Sequence, residues 1–428
     1  MATVNVDQAK LVLNAFAAIF QNNLLSKDIV TWKKFDGEMN DRNGLEVVEQ
    51  VVPDYTTTFT TNGVADLTSG VQDTTFGSER YKLDQTINSS MGWGDFVKIR
   101  DLDSARESEA LKAAALRLAT DIDSYILGFA ANASNNWIGD GASAVDSWTE
   151  LAQSYARLKA EGVEDFDTTA VLSYDDWVAL GSTVIADNAS LADMGAGVYR
   201  DGFTGNVAGI KTRFTQQLPT LTVGTRVAAA TSLTNAPTAA VYADVAESPA
   251  AGQYKTQTIN IDGQTGSVTL KDGEVFTIAG VYAYDNRAKK RLDHLQQFRV
   301  IGDYTATSGA FANVRIYPAI IANGAHQTVS YTGTLDNLAI THVGAAGATL
   351  KPRFIANKSA IVCNTADLIM PASGEGARKA LTQVPLSVRM WKYSDFNTGA
   401  HSIRFDVAIK ANVAADGRRR LVRLNGAA

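Results

Sequence analysis

Few residues in this sequence have the type and spacing for chemistry, and each has a quieter explanation. Asp165 and Asp167 stand two apart, and a pair of carboxylates can flank a sugar and divide general acid and base work between them. The same pair also suits a solvated loop. Asp121 and Asp123 have the same spacing inside a helical pattern, which sends them to different faces rather than toward one substrate. Asp175-Asp176 follow Ser173, and Ser173 to Asp176 is capping-box spacing, so helix capping accounts for them. The histidines, His294, His326, His342 and His401, are scattered without ligand spacing and read as surface or packing residues. The sequence contains no G-x-S-x-G elbow, Walker P-loop or G-x-G-x-x-G turn. Its single cysteine, Cys363, excludes an internal disulfide and a cysteine-rich metal site. The sequence therefore offers no catalytic, cofactor-binding or metal-ligating residue, and the expectation is a protein that is not an enzyme and needs no cofactor.

Two basic clusters invite a binding role. Arg287-Ala288-Lys289-Lys290-Arg291 could meet phosphate or an acidic neighbour, or be a solvated turn. Arg418-Arg419-Arg420 with Arg423 reads as a basic C-terminal tail that could face nucleic acid or an acidic partner helix. Against nucleic-acid binding as the main task stands a net charge of −6 over 428 residues, which gives no general pull toward phosphate. An acidic protein that only encloses nucleic acid would fit.

With 45% hydrophobic and 20% charged residues, the chain is expected to fold into two or three domains with real cores. The apolar N-terminal stretch is interrupted by Asn14 and preceded by Asp7, which reads as an amphipathic helix rather than a signal peptide. No apolar run approaches the roughly 18–20 residues of a membrane span, so a soluble protein without an export signal is expected.

The elements follow from periodicity. Asn5 and Gln8 stand at capping-box spacing ahead of Leu11, Phe16, Ile19, Phe20 and Leu24, predicting a first helix that is either a core helix or an arm on a neighbour. From about Gly44 to Asn88 the pattern turns to β-formers, with Asn62-Gly63 as a hairpin signal and a strand at Tyr81–Ile87. This threonine-rich excursion can bury little by itself. A long helix opens on the box Ser104 to Glu107 and shows one apolar face through Leu111, Ala115, Leu118, Ile122, Ile126 and Phe129, ending in the cluster 132–136. Further helices fit Trp148 to Lys159 and the stretch after Ser173. From about Arg226 to Thr349 come many short strands with turns at Asp262-Gly263 and Asp272-Gly273, the pattern of a small sandwich or barrel. Strands resume at Phe354-Ile355, Ala360-Ile361-Val362 and the alternating Ile403, Phe405, Val407 and Ile409.

One stretch is more specific. Tyr199-Arg200-Asp201-Gly202, then Val207-Ala208-Gly209-Ile210, Arg213 and Leu218-Pro219-Thr220-Leu221-Thr222 resemble a recurring segment in the coat proteins of short-tailed lambdoid bacteriophages, the phage P22 type. The order of elements on either side is similar to that family. The resemblance implies an α+β fold, the Hong Kong 97-type tailed-phage capsid fold with an inserted antiparallel β-barrel domain. It divides the chain into an N-terminal helical arm (1–35), an extended β-loop (36–90), a capsid core (91–223 and 350–428, with a spine helix about 104–132) and the inserted barrel (224–349). It further implies a major capsid protein that self-assembles as pentamers and hexamers, with scaffolding and portal proteins, into an icosahedral shell. That shell would enclose double-stranded DNA and be put together in the bacterial cytoplasm. The candidate protruding loop of the inserted domain, about Asp244 to Lys255, has no motif matched residue by residue and is expected to tie neighbouring subunits together. The rival readings are a β-rich surface or carbohydrate-binding protein and an enzyme without a recognised motif.

Overall fold

The structure, a computed structural model, describes residues 2–38, 46–51, 77–93 (bar 84), 109–187 (bar 142 and 164–166), 206–227 (bar 208–209), 232–234, 256–370 (bar 286–287 and 324–326), 375–414 (bar 382 and 395–400) and 420–424. It is a mixed α+β architecture built on two six-stranded sheets and one seven-stranded sheet.

In the first sheet, Thr31–Glu38 runs parallel to Ile361–Asp367, which pairs antiparallel with the long strand His401–Val413. That strand also holds Ser387–Ser394, with Glu375–Ala380 beyond it, and Thr86–Trp93. The alternation of Ile403, Phe405, Val407 and Ile409 puts all four side chains into one core. Two helices cover that face. Helix α1, Ala2–Asn22, buries Leu13, Phe16, Ala17 and Phe20, and the Phe16 ring stacks on Phe405 at 3.8 Å between centroids. Helix α2, Glu109–Ala133, buries Leu111, Ala115, Leu118, Ile122 and Ile126 at the predicted spacing. Of the two readings left open for the first helix, the single chain shows it packed on its own core. Helix α1 already runs at Ala2, so Asn5 lies inside it rather than at its cap; local capping signals place helix ends only to within a turn. The box Ser104 to Glu107 lies outside the described residues.

Asp121 and Asp123 do diverge. Asp121 is met by Arg117 one turn back, at 3.0 Å. Asp123 is buried, and its two carboxylate oxygens accept from the backbone N–H groups of Leu25 (2.8 Å) and Ser26 (2.9 Å). It thereby pins the turn that leads from α1 into the sheet. Burial pushes its carboxyl upward, against the pull of those donors. Asp123→Ala leaves two buried N–H groups without an acceptor and is expected to cost about 2–3 kcal/mol in urea unfolding. Asp123→Asn keeps one acceptor and removes the buried charge, so its loss should be smaller; equal losses would refute this account.

The second sheet runs in the order Asn136–Trp137, Leu421–Leu424, Arg353–Asn357, Thr168–Leu172, Ile210–Phe214 and Asn206–Val207. Helices α3, Trp148–Ala160, and α4, Tyr174–Asp187, belong to this part of the chain, with Leu151, Leu158 and Leu180 in its core.

The third sheet is antiparallel throughout. Its order is Ser232–Thr234, Gln257–Asp262, Phe311–Tyr317, Lys290–Ile301, Val275–Asp285 and Val329–Ser330, with Ile340–His342 also on Val275–Asp285. It encloses its own core, including Ile261, Phe276, Ile278, Phe298, Phe311 and Ile316. Its end strands are not paired with each other among the described residues. Near the N-terminus, Glu46–Val51 and Gly77–Lys82 form an antiparallel two-stranded ribbon, in register from Glu46 opposite Lys82 to Val51 opposite Gly77. The strand expected at Tyr81–Ile87 is divided between two strands, the first ending at Lys82 and the second beginning at Thr86, because the second leaves the ribbon to join the first sheet. Asn62-Gly63 and the loop Asp244 to Lys255 lie outside the described residues.

Candidate functional site

The polar residues that the structure concentrates are at the junction between the third sheet and the rest of the chain. Helix α2 ends without a glycine cap, and its terminal carbonyls are met by arginines from distant parts of the chain. Arg423 donates from Nε to the Ser134 carbonyl (3.0 Å), from Nη1 to the Gly273 carbonyl (2.7 Å) and from Nη2 to the carbonyls of Ser134 and Asn132. Its guanidinium also lies over the Trp137 ring, 5.2 Å from the centroid. Arg299 donates to the Asn132 carbonyl and, at 3.1 Å, to both carboxylate oxygens of Asp272. Cationic forks at a helix C-terminus satisfy the orphan carbonyls and oppose the negative end of the helix dipole. Gln297 completes the seam. Its side chain accepts from the Trp137 N–H and donates to the Trp137 carbonyl, both at 2.7 Å, as a neighbouring strand would.

The turn Asp272-Gly273 is what lets the third sheet come so close. Gly273 has φ +85°, and a Cβ there would stand 3.0 Å from Asn132 Oδ1. Gly224, where the chain enters the third-sheet block, is tighter still, because a Cβ would collide with the Thr269 carbonyl.

A second cluster closes the neck of that block. Arg226 Nε and Glu274 Oε2 form an ion pair at 3.0 Å with side chains 0% and 1% exposed. Glu274 Oε1 accepts from Gly224 N (2.8 Å) and Lys271 N (2.7 Å), while Arg226 Nη2 donates to the carbonyls of Val343 and Gly344. One pair thus joins the entering segment at Gly224, the turn and the departing segment at 343–344. Burial pushes the Glu274 carboxyl up and the Arg226 guanidinium down, each opposed by the other's charge.

His342 stands beside this pair, its ring 5.6 Å from that of Phe276. Both ring nitrogens are buried and have no hydrogen-bond partner among the described residues, and burial with the Arg226 charge pushes the imidazole down to about 3. It folds neutral, whereas the unfolded chain protonates it near 6.5. The unfolded state therefore binds more protons as pH falls below 6.5, and stability should drop by about 1.4 kcal/mol per pH unit from this group alone. Urea midpoints measured from pH 7 to 5 should show that slope, and His342→Phe should flatten it. An unchanged slope in the variant would remove His342 from the acid response. His294, pushed down to about 4 by burial and by Arg157, adds in the same direction.

A third buried pair organises the second sheet. Arg353 Nε reaches Asp176 Oδ2 at 2.7 Å, and that oxygen also accepts from Ser173 N (2.8 Å). The expected capping box is therefore present, but Asp176 caps α4 and neutralises an arginine at once. Asp175 is exposed. Asp167 is exposed with φ +55°, and its carbonyl receives the Lys358 N–H (2.9 Å); Asp165 lies outside the described residues.

The basic tail needs correction. Leu421–Leu424 is a strand paired with Arg353–Asn357, Arg423 is wholly buried and Arg420 donates to Ser359 Oγ at 2.8 Å. The apolar Leu421, Val422 and Leu424 pull the segment into the sheet, while Arg418 and Arg419 lie outside the described residues. Of the other cluster, Arg287 lies outside the described residues; in the rest, Lys289 has φ +52°, Lys290 begins a strand paired in a hairpin with Val275–Asp285, and the Arg291 guanidinium sits 4.4 Å from the Tyr282 ring centroid. Cys363 is buried, and burial raises its thiol far above the usual range. In the resembling segment, Ile210, Leu218, Leu221 and Val223 are buried and Arg213 pairs with Asp28 at 2.7 Å. Its described part thus records packing and a link to the turn after α1, while 199–205 and 208–209 lie outside the described residues.

Buried arginines thus tie the sheet systems of this chain together. The chain belongs to the P22 coat protein family: the family described as "P22 coat protein - gene protein 5" matches residues 1–416. It is 22% identical over 415 residues to the major capsid protein of Acyrthosiphon pisum secondary endosymbiont phage 1, covering 93% of each. Among solved structures it is similar to the capsid of cyanophage P-SCSP1u, with 11% identity, a TM-score of 0.44 and coverage of 94% of this chain and 88% of that one. It is also similar to the CUS-3 coat protein I-domain, with 25% identity, a TM-score of 0.19 and coverage of 27% and 96% respectively. With family membership, the α+β architecture is the tailed-phage capsid fold of the Hong Kong 97 type, and the protein is a phage major capsid protein that self-associates to form the capsid of the virion. The carbohydrate-binding reading has no support in this membership.

Proposed function

We propose that the chain assembles with a scaffolding protein and a portal protein, in the cytoplasm of a bacterial host, into an icosahedral shell that encloses double-stranded DNA, and that it catalyses no reaction. The carrying observation is the ribbon Glu46–Val51 with Gly77–Lys82, which is joined to no other sheet among the described residues. A two-stranded ribbon alone in water is marginal at best, so it gains stability by reaching a neighbour. In this reading, 1–35 is the N-terminal helical arm, with its helix packed on the chain's own core, 36–90 the extended loop, 91–223 with 350–428 the core, and 224–349 the inserted barrel. The net charge of −6 suits a wall that holds DNA without gripping it. The test is negative-stain electron microscopy of the protein expressed alone and with a candidate scaffolding protein. Closed shells, tubes or spirals are expected; a monomer at high concentration with the scaffold present would overturn the proposal.

A further inference from the structure

Helices α3 and α4 begin side by side, because Val145 N, just ahead of α3, donates to Asp176 Oδ1 in the first turn of α4 at 3.2 Å. At these helix starts the chain exposes large apolar side chains. Trp148 is 56% exposed, Tyr174 52%, Trp177 38% and Val178 62%. Tyr174, Trp177 and Val178 are spaced i, i+3, i+4 and so share one face of α4, while Asp176 and Leu180 on the opposite side are buried. Taking roughly 150–250 Å² per side chain, the exposed apolar area is on the order of 400 Å², comparable to the largest patch on a typical monomer.

We infer that this face is a contact with a second copy of the chain in the shell. The inference rests on the self-association that family membership gives, since every copy in a shell must present surfaces to its neighbours. An area of roughly half the 800 Å² per partner of a standard complex suits one of several modest contacts rather than a free-standing dimer. Exposed Asp146 and Asp175 flank the patch, so nucleic-acid phosphate is repelled from it. The same chain carries the complementary charge elsewhere, in the exposed Lys290 and Arg291 of the hairpin tip. That arrangement is what a head-to-tail contact between identical copies uses.

Two experiments on the full chain test this. The double variant Trp148→Glu with Val178→Glu replaces exposed residues, so its thermal melt should match the unaltered protein while its critical concentration for assembly, read by light scattering, rises roughly tenfold or more. Assembly at the unaltered concentration would overturn the inference. Second, because Cys363 is buried, Val178→Cys supplies the one accessible thiol for a maleimide-benzophenone label. Photolysis of assembled shells should cross-link residue 178 to a peptide of another copy. Cross-links confined to the same chain, to the scaffolding protein or to DNA, or none at all, would overturn it, and this arm decides alone if the double variant misfolds. If the unaltered protein never assembles, the shell reading fails and the contact falls with it; shells without the 178 cross-link remove the contact only.

Discussion

Glu274→Ala should lower stability by about 3–5 kcal/mol, the range found when one member of a buried ion pair is removed. The structure explains why the loss falls at the high end. Arg226 would be left fully buried with its countercharge gone, and the N–H groups of Gly224 and Lys271 would lose their shared acceptor. These are the groups that hold the entry, turn and exit of the 224–349 block together. The readouts are a lower urea midpoint and faster proteolysis within that block, with cleavage sites assigned by mass spectrometry. The double variant Arg226→Met with Glu274→Leu should recover part of the loss, because an apolar pair removes the stranded charge. It should not recover all of it, since Gly224 and Lys271 still lack an acceptor. A single-variant loss below about 1 kcal/mol would mean that solvent reaches the neck and that the pair does not close it.

The second large effect is expected at Arg423. Replacing it with Met strands the carbonyls of Ser134 and Gly273, leaves that of Asn132 to Arg299 alone and removes the cation above Trp137. At about 1–3 kcal/mol for each buried group left unsatisfied, a total loss of about 3 kcal/mol or more is expected in urea unfolding. Arg423→Lys separates charge from geometry. A lysine keeps the positive charge at the helix end but cannot fork to three carbonyls on two segments, so most of the loss should remain. Hydrogen exchange gives the spatial signature: in both variants the amides of 130–137 and 271–274 should lose protection together. If Arg423→Lys behaves like the unaltered chain, the site needs only charge and the fork is incidental.

The two predictions share a theme in the chemistry of the junction. The last carbonyls of the long helix α2 touch the third-sheet block directly through Arg299 and the Gly273 turn. A change in the block's orientation must therefore move the end of that helix or break the arginine contacts.

How far the sequence alone reaches can be judged residue by residue. The burial of Leu111, Ala115, Leu118, Ile122 and Ile126, and of Ile403, Phe405, Val407 and Ile409, was legible because a period of 3.6 or 2 is a local property that burial then exploits. The capping role of Asp176 and the turn at Asp272-Gly273 were legible for the same reason, since caps and turns are settled within a few residues. The lack of catalytic motifs and the family resemblance also lay in the residues themselves. The junction did not. Arg423 stands after three arginines and reads as a solvated tail, and only the pairing of Leu421–Leu424 with Arg353–Asn357 carries it to the end of a helix that finished some 290 residues earlier. Arg226 and Glu274 have no sequence relation, and neither do Arg353 and Asp176 or Asp123 and the turn at Leu25; in each case only the tertiary arrangement brings a buried charge to its partner. Local periodicity determined which segments are helix or strand and which face each buries, while the distant polar contacts that join those segments depend on chain topology, which no local pattern encodes.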